Sequence, residues 1–297
     1  MNKPNNLIPK NMYLKALFNH KIKNILLLAK LLSCLLLFNL VLFPSASKAQ
    51  MKVSPTIIDA KAQRGQAQSV ISITNVTDKP SRVRLYAEPF TYDRDKGFKT
   101  LPANSPNNLT PFLQFSPREL VIQPGQTRRV RITTLLAPNL PEGEYRAVVF
   151  NETLTESKDA KGKNVNLITR VGVPVYIAKG KVTSNLAVDS ASFDSKKNQI
   201  QLLVRNNGKA STQTEVKWTL RRQGNVVKTG KKDSSAIIAQ SDRNISLNFT
   251  DKKNEPALTS GTYQLSGELI WGENKQNKLP FNLNLTIPAS SATSPKK

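Results

Sequence analysis

Thiol and imidazole chemistry is nearly missing from this chain. Its 297 residues hold one cysteine, Cys34, and one histidine, His20. Both fall in an N-terminal stretch with the pattern of an export signal, so the mature chain is expected to have neither. That excludes a disulfide framework, a Cys/His zinc site, a cysteine nucleophile and a Ser-His-Asp triad. Acids are scarce as well: 20 Asp and Glu stand against 44 Lys and Arg, a formal charge of +24. No paired carboxylates sit at evident strand ends. The chain therefore reads as a non-enzyme, with no cofactor and no metal.

The export signal reads from charge and hydropathy. Residues 1–30 carry Lys3, Lys10, Lys15, Lys21, Lys23 and Lys30 with no acid. The apolar run Leu31–Phe43 follows, broken only by Ser33, Cys34 and Asn39. Then come Pro44-Ser45-Ala46-Ser47-Lys48-Ala49-Gln50, with small residues at −3 and −1 of a cut after Ala49. The run spans 13 residues, short of the ~20 that a membrane helix needs. The expectation is a cleaved signal over 1–49, periplasmic delivery and no stable membrane insertion afterwards. An uncleaved anchor, and lipidation at the Leu31-Leu32-Ser33-Cys34 box, are the alternatives. The mature chain, Gln50–Lys297, has 248 residues and a charge of +17.

Strand patterning fills the rest. Val70-Ile71-Ser72-Ile73, Arg82-Val83-Arg84-Leu85-Tyr86 and Val130-Arg131-Ile132-Thr133 alternate or nearly so, as half-buried antiparallel strands do. Turn chemistry separates them at Asn75–Pro80, Pro124-Gly125-Gln126 and Pro141-Glu142-Gly143. No stretch offers three turns of helical spacing. Ala178-Lys179-Gly180-Lys181 reads as a linker. Beyond it lie Leu186–Phe193, Gln199–Arg205, Thr214–Arg221, Ile245–Phe249 and the expected closing hairpin Tyr263–Trp271 with Leu279–Ile287. Asn207-Gly208 is a tight-turn signal. The predicted organisation is all-β, with domains over 50–178 and 182–288 and a disordered tail over 289–297.

Two local motifs bear on chemistry. Asp93-Arg94-Asp95-Lys96-Gly97 resembles part of a calcium loop but lacks a third acid and a closing Glu, so an ordinary polar turn is the plainer reading. Arg128-Arg129-Val130-Arg131 is a basic strand, read either as solvated charge or as an anion site. Nucleic acid is disfavoured as a partner, because the chain is exported and lacks basic residues interleaved with aromatics. Acidic protein clients, an anionic membrane surface or polysaccharide remain.

The longest strand candidate is Val165–Ile177. Its odd positions are Val165, Leu167, Thr169, Val171, Val173, Val175 and Ile177, an almost purely apolar face. Pro174 cannot donate to a ladder, so one side of the strand is unpaired there or the strand lies on an edge. Two readings stand side by side: a core strand of a sandwich, and a strand that lends its apolar face to a partner.

An ordered series of motifs then resembles the PapD-like periplasmic pilus-assembly chaperones. The series runs Val70-Ile71-Ser72-Ile73-Thr74-Asn75; Phe115-Ser116-Pro117; Pro124-Gly125-Gln126-Thr127-Arg128-Arg129-Val130-Arg131-Ile132; Leu140-Pro141-Glu142-Gly143-Glu144-Tyr145-Arg146; and Val173-Pro174-Val175-Tyr176-Ile177. The Gly143 and Gly172 segments look closer to the divergent archaic branch. The resemblance implies two immunoglobulin-like β-sandwich domains set at an angle, with a cleft between them. It implies pilin-like secreted subunits and an outer-membrane usher as partners. It also implies donor-strand complementation, with Val165, Leu167 and Thr169, and Val171 next on the same face, entering the groove of a subunit that lacks a strand. The family anchors the subunit's C-terminal carboxylate with an Arg on the first strand and a Lys on the last. Here Val53–Ala60 has no Arg and Val165–Ile177 has no Lys, leaving Arg131, Arg170 and Lys179 as anchor candidates. The alternative function is a surface or periplasmic Ig-like structural or adhesion protein that binds acidic polysaccharide.

Overall fold

The computed structural model of the protein describes residues 51–158, 163–247 and 258–289. The expected signal over 1–49, the last residues of the expected tail, and Asn248 and Phe249 lie outside them. The first set of strands is β1 (Met51–Ser54), β2 (Ile58–Lys61), β3 (Gln66–Asn75), β4 (Ser81–Glu88), β5 (Phe90–Asp93), β6 (Gly97–Thr100), β7 (Leu113–Ser116), β8 (Glu119–Ile122), β9 (Thr127–Leu135), β10 (Gly143–Lys158) and β11 (Asn164–Lys179). The second set is β12 (Leu186–Asp194), β13 (Gln199–Asn206), β14 (Thr212–Arg222), β15 (Asn225–Ile237), β16 (Ser241–Leu247), β17 (Gly261–Trp271) and β18 (Asn277–Ile287). Among the described residues there is no α-helix, in line with the lack of helical spacing.

Each set makes two facing sheets. In the first, β1-β3-β9-β7 faces β2-β11-β10-β4-β8. Alternation puts Ile71, Ile73, Val130 and Ile132 of one sheet against Val83, Val149, Val173 and Val175 of the other, in one buried core. In the second, β12-β13-β16 faces β15-β14-β17-β18. There Ile200, Leu202 and Val204 share a core with Val216, Trp218, Leu220, Leu265 and Leu285.

Both sandwiches repeat the same two polar devices. At the end of β3, Asn75 is 1% exposed; its Nδ2 donates to the carbonyls of Lys79 and Ile122, and its Oδ1 accepts the Thr77 N–H. At the end of β13, Asn206 donates to the carbonyls of Ala210 and Ile237 and accepts the Gly208 N–H. Each side chain thus satisfies turn groups that a buried strand end would leave orphaned. Near the start of β10, the Tyr145 hydroxyl donates to the Pro141 carbonyl four residues back; near the start of β17, Tyr263 does the same to Thr259. This corner is a mark of immunoglobulin-like sandwiches, and both halves of the chain have it.

Three expectations differ from what the chain does. Val53–Ala60 is two strands. Pro55 has no N–H and ends β1, and β2 then crosses to the other sheet, where it runs parallel to β11. The strand β15 carries no sequence signal, because Lys228–Asp233 shows no alternation; it is an edge strand, and its Lys231 pairs with Glu215 and Asp233. The supposed linker begins inside β11, since Ala178 pairs with both Glu144 and Lys61, and Lys179 pairs with Gly143. The turn off the strand comes at Gly180, whose φ is +83° and where a Cβ would lie 2.3 Å from Glu142 Cδ. Asn207-Gly208 bends the chain between β13 and β14, which belong to facing sheets and make no hairpin, and a Cβ on Gly208 would meet the Thr183 carbonyl at 2.3 Å.

Candidate functional site

β10 and β11 form one antiparallel hairpin, paired from Gly143↔Lys179 to Lys158↔Asn164. The neighbours cover only part of it. β4 joins β10 only from Val148 to Thr153, and β2 joins β11 only from Val175 to Ala178. Among the described residues, the outer edge of β11 therefore has no ladder partner from Asn164 to Pro174. At ~3.3 Å per residue that edge is roughly 35 Å long. It begins where Pro174, with no N–H to donate, stands.

The alternating face of β11 changes character along its length. Val173, Val175 and Ile177 are 0%, 0% and 2% exposed and belong to the core. Val171 is half-buried against that core. Thr169 is half-exposed, and Leu167 is 49% exposed. The backbone of Val165 pairs with Ser157; its side chain lies outside what is described. One periodic face thus leaves the host core and continues into solvent. Ile168, on the opposite face, is 53% exposed. No single-face reading of the sequence singled it out.

The three basic candidates sit apart. Arg170 donates to Glu152 at 2.6 Å, and the Tyr86 hydroxyl donates to the same carboxylate oxygen at 3.2 Å. The hydrogen bond from Arg170 holds the Glu152 carboxyl below its usual range. Lys179 Nζ donates to three carbonyls, those of Ala137, Pro138 and Leu140, at 2.8, 2.8 and 2.6 Å. It fastens the connection that leaves β9. Nine residues of extended chain, roughly 30 Å, separate it from Arg170. Arg131 is exposed on β9, in the other sheet, opposite Val70 and Ser116.

A polar group that the sequence reading missed lies where the two sandwiches meet. Arg146 and Tyr176 are direct cross-strand partners on β10 and β11. Arg146 Nε donates to the Phe90 carbonyl; its Nη1 is 3.8 Å from Glu144 and has no hydrogen-bond partner. The Tyr176 hydroxyl, on a residue 3% exposed, also lacks one. Burial raises the Tyr176 and Glu144 pKa values and lowers that of Arg146. Glu144 accepts both the N–H and the hydroxyl of Ser211 from the second sandwich. Beside it, Phe90, Val148 and Tyr176 bury against Ile238. Only alternation hinted at this group: Tyr145 and Ala147 turn inward, so Glu144 and Arg146 must turn out.

Asp93–Gly97 is the turn of the β5–β6 hairpin. Asp93 Oδ1 accepts the N–H groups of Asp95 and Lys96, both at 3.0 Å. No cluster of three or more metal-ligating side chains occurs among the described residues. The tip instead docks on β16: Arg94 pairs with Asp242, Asn244 donates to Asp95, and Arg243 stacks 4.6 Å from the Tyr92 ring centroid. No helix among the described residues is long and apolar enough to cross a membrane.

No protein-family model matches the chain, and no curated protein does. Among solved structures, the chain is similar to the YadV chaperone at 14% identity over 80% of this chain and 100% of that one, with a TM-score of 0.45. It is similar to the chaperone–tip subunit complex of the archaic chaperone-usher Csu pili of Acinetobacter baumannii at 12% identity, over 81% and 100% of the chains, with a TM-score of 0.43. It is also similar to the Salmonella enterica SafA pilin–SafB chaperone complex at 11% identity, over 82% and 99%, with a TM-score of 0.44.

Proposed function

We propose that the protein is an exported chaperone for secreted fibre subunits and that the free edge of β11 is its working surface. The observation that carries this reading is the unpaired stretch from Asn164 to Pro174, whose apolar face runs out of the core into water at Leu167. Such an edge is a hazard for aggregation unless it serves a partner. A subunit that lacks a strand has the complementary defect. Adding β11 to it pairs the backbone edges and inserts Val165, Leu167, Thr169 and Val171 into its groove. Each apolar side chain so buried contributes about 1.5–3 kcal/mol.

The charged anchor for a subunit's terminal carboxylate falls, in this reading, to Arg146 before Arg131, Arg170 or Lys179. Arg170 is paired with Glu152, Lys179 holds three carbonyls and Arg131 is in the other sheet, whereas Arg146 donates to the Phe90 carbonyl and lies 3.8 Å from Glu144 with a donor left over. Arg146 has an unpartnered N–H beside the unpartnered Tyr176 hydroxyl. An outer-membrane usher would be the next partner along, and a cleaved signal over 1–49 the route to the periplasm.

The test is a pair of substitutions. Leu167→Asp should change stability by no more than about 0.5 kcal/mol, as exposed substitutions do, yet abolish co-purification with a fibre subunit co-expressed in the periplasm. Val173→Asp should unfold the sandwich, because it places a charge in the core. Subunit capture undiminished in Leu167→Asp overturns the reading.

A further inference from the structure

The charge imbalance of the first sandwich is confined to one of its two sheets. The β2-β11-β10-β4-β8 sheet is balanced, with six acids against seven cations in its strands. The strands of the β1-β3-β9-β7 sheet hold four cations (Lys52, Arg128, Arg129 and Arg131) and no acid.

Register places these groups. Pairing puts Ser72 between Ser54 and Arg129 in one row, and Arg131 between Val70 and Ser116 in the next. Lys52, Thr74 and Thr127 make a third row, with the two threonine hydroxyls 2.8 Å apart. Gln114, Thr133 and Gln68 make a fourth. The outward face is therefore a field of hydroxyls and amides with Lys52, Arg129 and Arg131 set in it, all three exposed. None of the three makes an ion pair among the described residues. Arg129 and Arg131 project from the same face about 7 Å apart, and Lys52 lies two strands, about 10 Å, from the β9 row.

We infer that this face binds a linear acidic polysaccharide. The chemistry of the face selects that class of polyanion. A membrane would need apolar groups to insert, and here only Val70, half-buried, and Leu135, at the far end, are apolar. An acidic protein would need an apolar or aromatic centre, and a single-stranded nucleic acid would need rings to stack on. The face has no outward aromatic; Phe115 turns the other way and packs on the core. Arginine forks match carboxylate groups in a plane, and Ser, Thr and Gln match sugar hydroxyls. The face belongs to the sheet that does not contain β11, so this inference goes beyond the chaperone reading and does not depend on it.

The experiment measures binding of the folded protein to a polygalacturonate oligomer, with neutral dextran and phosphatidylglycerol vesicles as the other arms. The wild type should bind the uronate, not dextran, and release it with salt. Arg129→Gln with Arg131→Gln should weaken binding at least about tenfold, as loss of two charge-assisted contacts does. Ser72→Glu, which adds an acid beside Arg129 and removes no cation, should weaken it similarly. Lys217→Gln with Lys278→Gln makes the same charge change on the second sandwich and should leave binding unchanged. Equal loss in that control, or no uronate binding by the wild type, overturns the inference. Binding to vesicles in place of uronate overturns the choice of polysaccharide.

Discussion

Arg94 donates through two nitrogens to the carboxylate of Asp242, a residue 148 positions further along the chain; the Nε–Oδ1 distance is 2.7 Å. The pair fastens the β5–β6 hairpin of the first sandwich to β16 of the second. Beneath it, Phe90 packs edge-on against Tyr176 with centroids 5.6 Å apart, and both bury against Ile238. The ion pair is exposed and screened, so most of the fastening falls to the rings.

Breaking this junction should uncouple the sandwiches. Phe90→Ala removes a ring that is 1% exposed, at a cost of about 3–5 kcal/mol. Calorimetry of the wild type should give one cooperative transition, and of Phe90→Ala two. Asp242→Ala should give a smaller effect in the same direction. A single unchanged transition in both variants contradicts this.

Glu144 should make the junction pH-sensitive. Burial raises its carboxyl above the ordinary value of 4.5, although both Ser211 bonds and Arg146 pull it down. A raised folded value means that the folded state holds its proton more tightly. Its contribution is thus fully present below the ordinary glutamate range and is lost as pH rises through the folded value. Carboxylates such as Glu152 and Asp242, whose values are lowered, work in the opposite sense. The difference between wild-type and Glu144→Gln melting temperatures isolates the effect. It should shift against the wild type as pH rises from 4.5 towards neutrality. A flat difference contradicts the assignment.

Much of this architecture could be read from local pattern. Val173, Val175 and Ile177 alternate cleanly and are core, and the polar stretches that follow Asn75 and Asn206 do separate strands. The all-β class followed from the period of the apolar residues. What escaped was what period cannot encode. Residues 225–233 of β15 lack apolar alternation because none of them is buried. Arg146 and Tyr176 meet through register between strands about thirty residues apart in sequence. Asp93–Gly97 read correctly as a turn, but its docking on β16 is a long-range contact with no local signal. Of the site itself, the apolar face of β11 was legible, while the limit of its partners β2 and β4, which makes the edge free, was not.

Lys179 should prove to be a structural residue. Its ammonium satisfies three carbonyls of the connection after β9. Lys179→Met should cost about 1.5–3 kcal/mol, as hydrogen bonds to charged groups do, and should leave subunit capture intact at temperatures where the variant is folded. Urea denaturation with a capture assay separates the outcomes. Unchanged stability with lost capture would make Lys179 the anchor instead.

Amide hydrogen exchange along β11, read with and without a co-expressed fibre subunit, tests the central claim most directly. In the free protein, the outward-pointing amides between Asn164 and Val173 should exchange fast, while Val175–Ala178, paired with β2, stay protected. In the complex, the outward amides of the free stretch should become protected, with little change on the opposite sheet. Protection that appears elsewhere while this edge keeps exchanging fast would contradict the account.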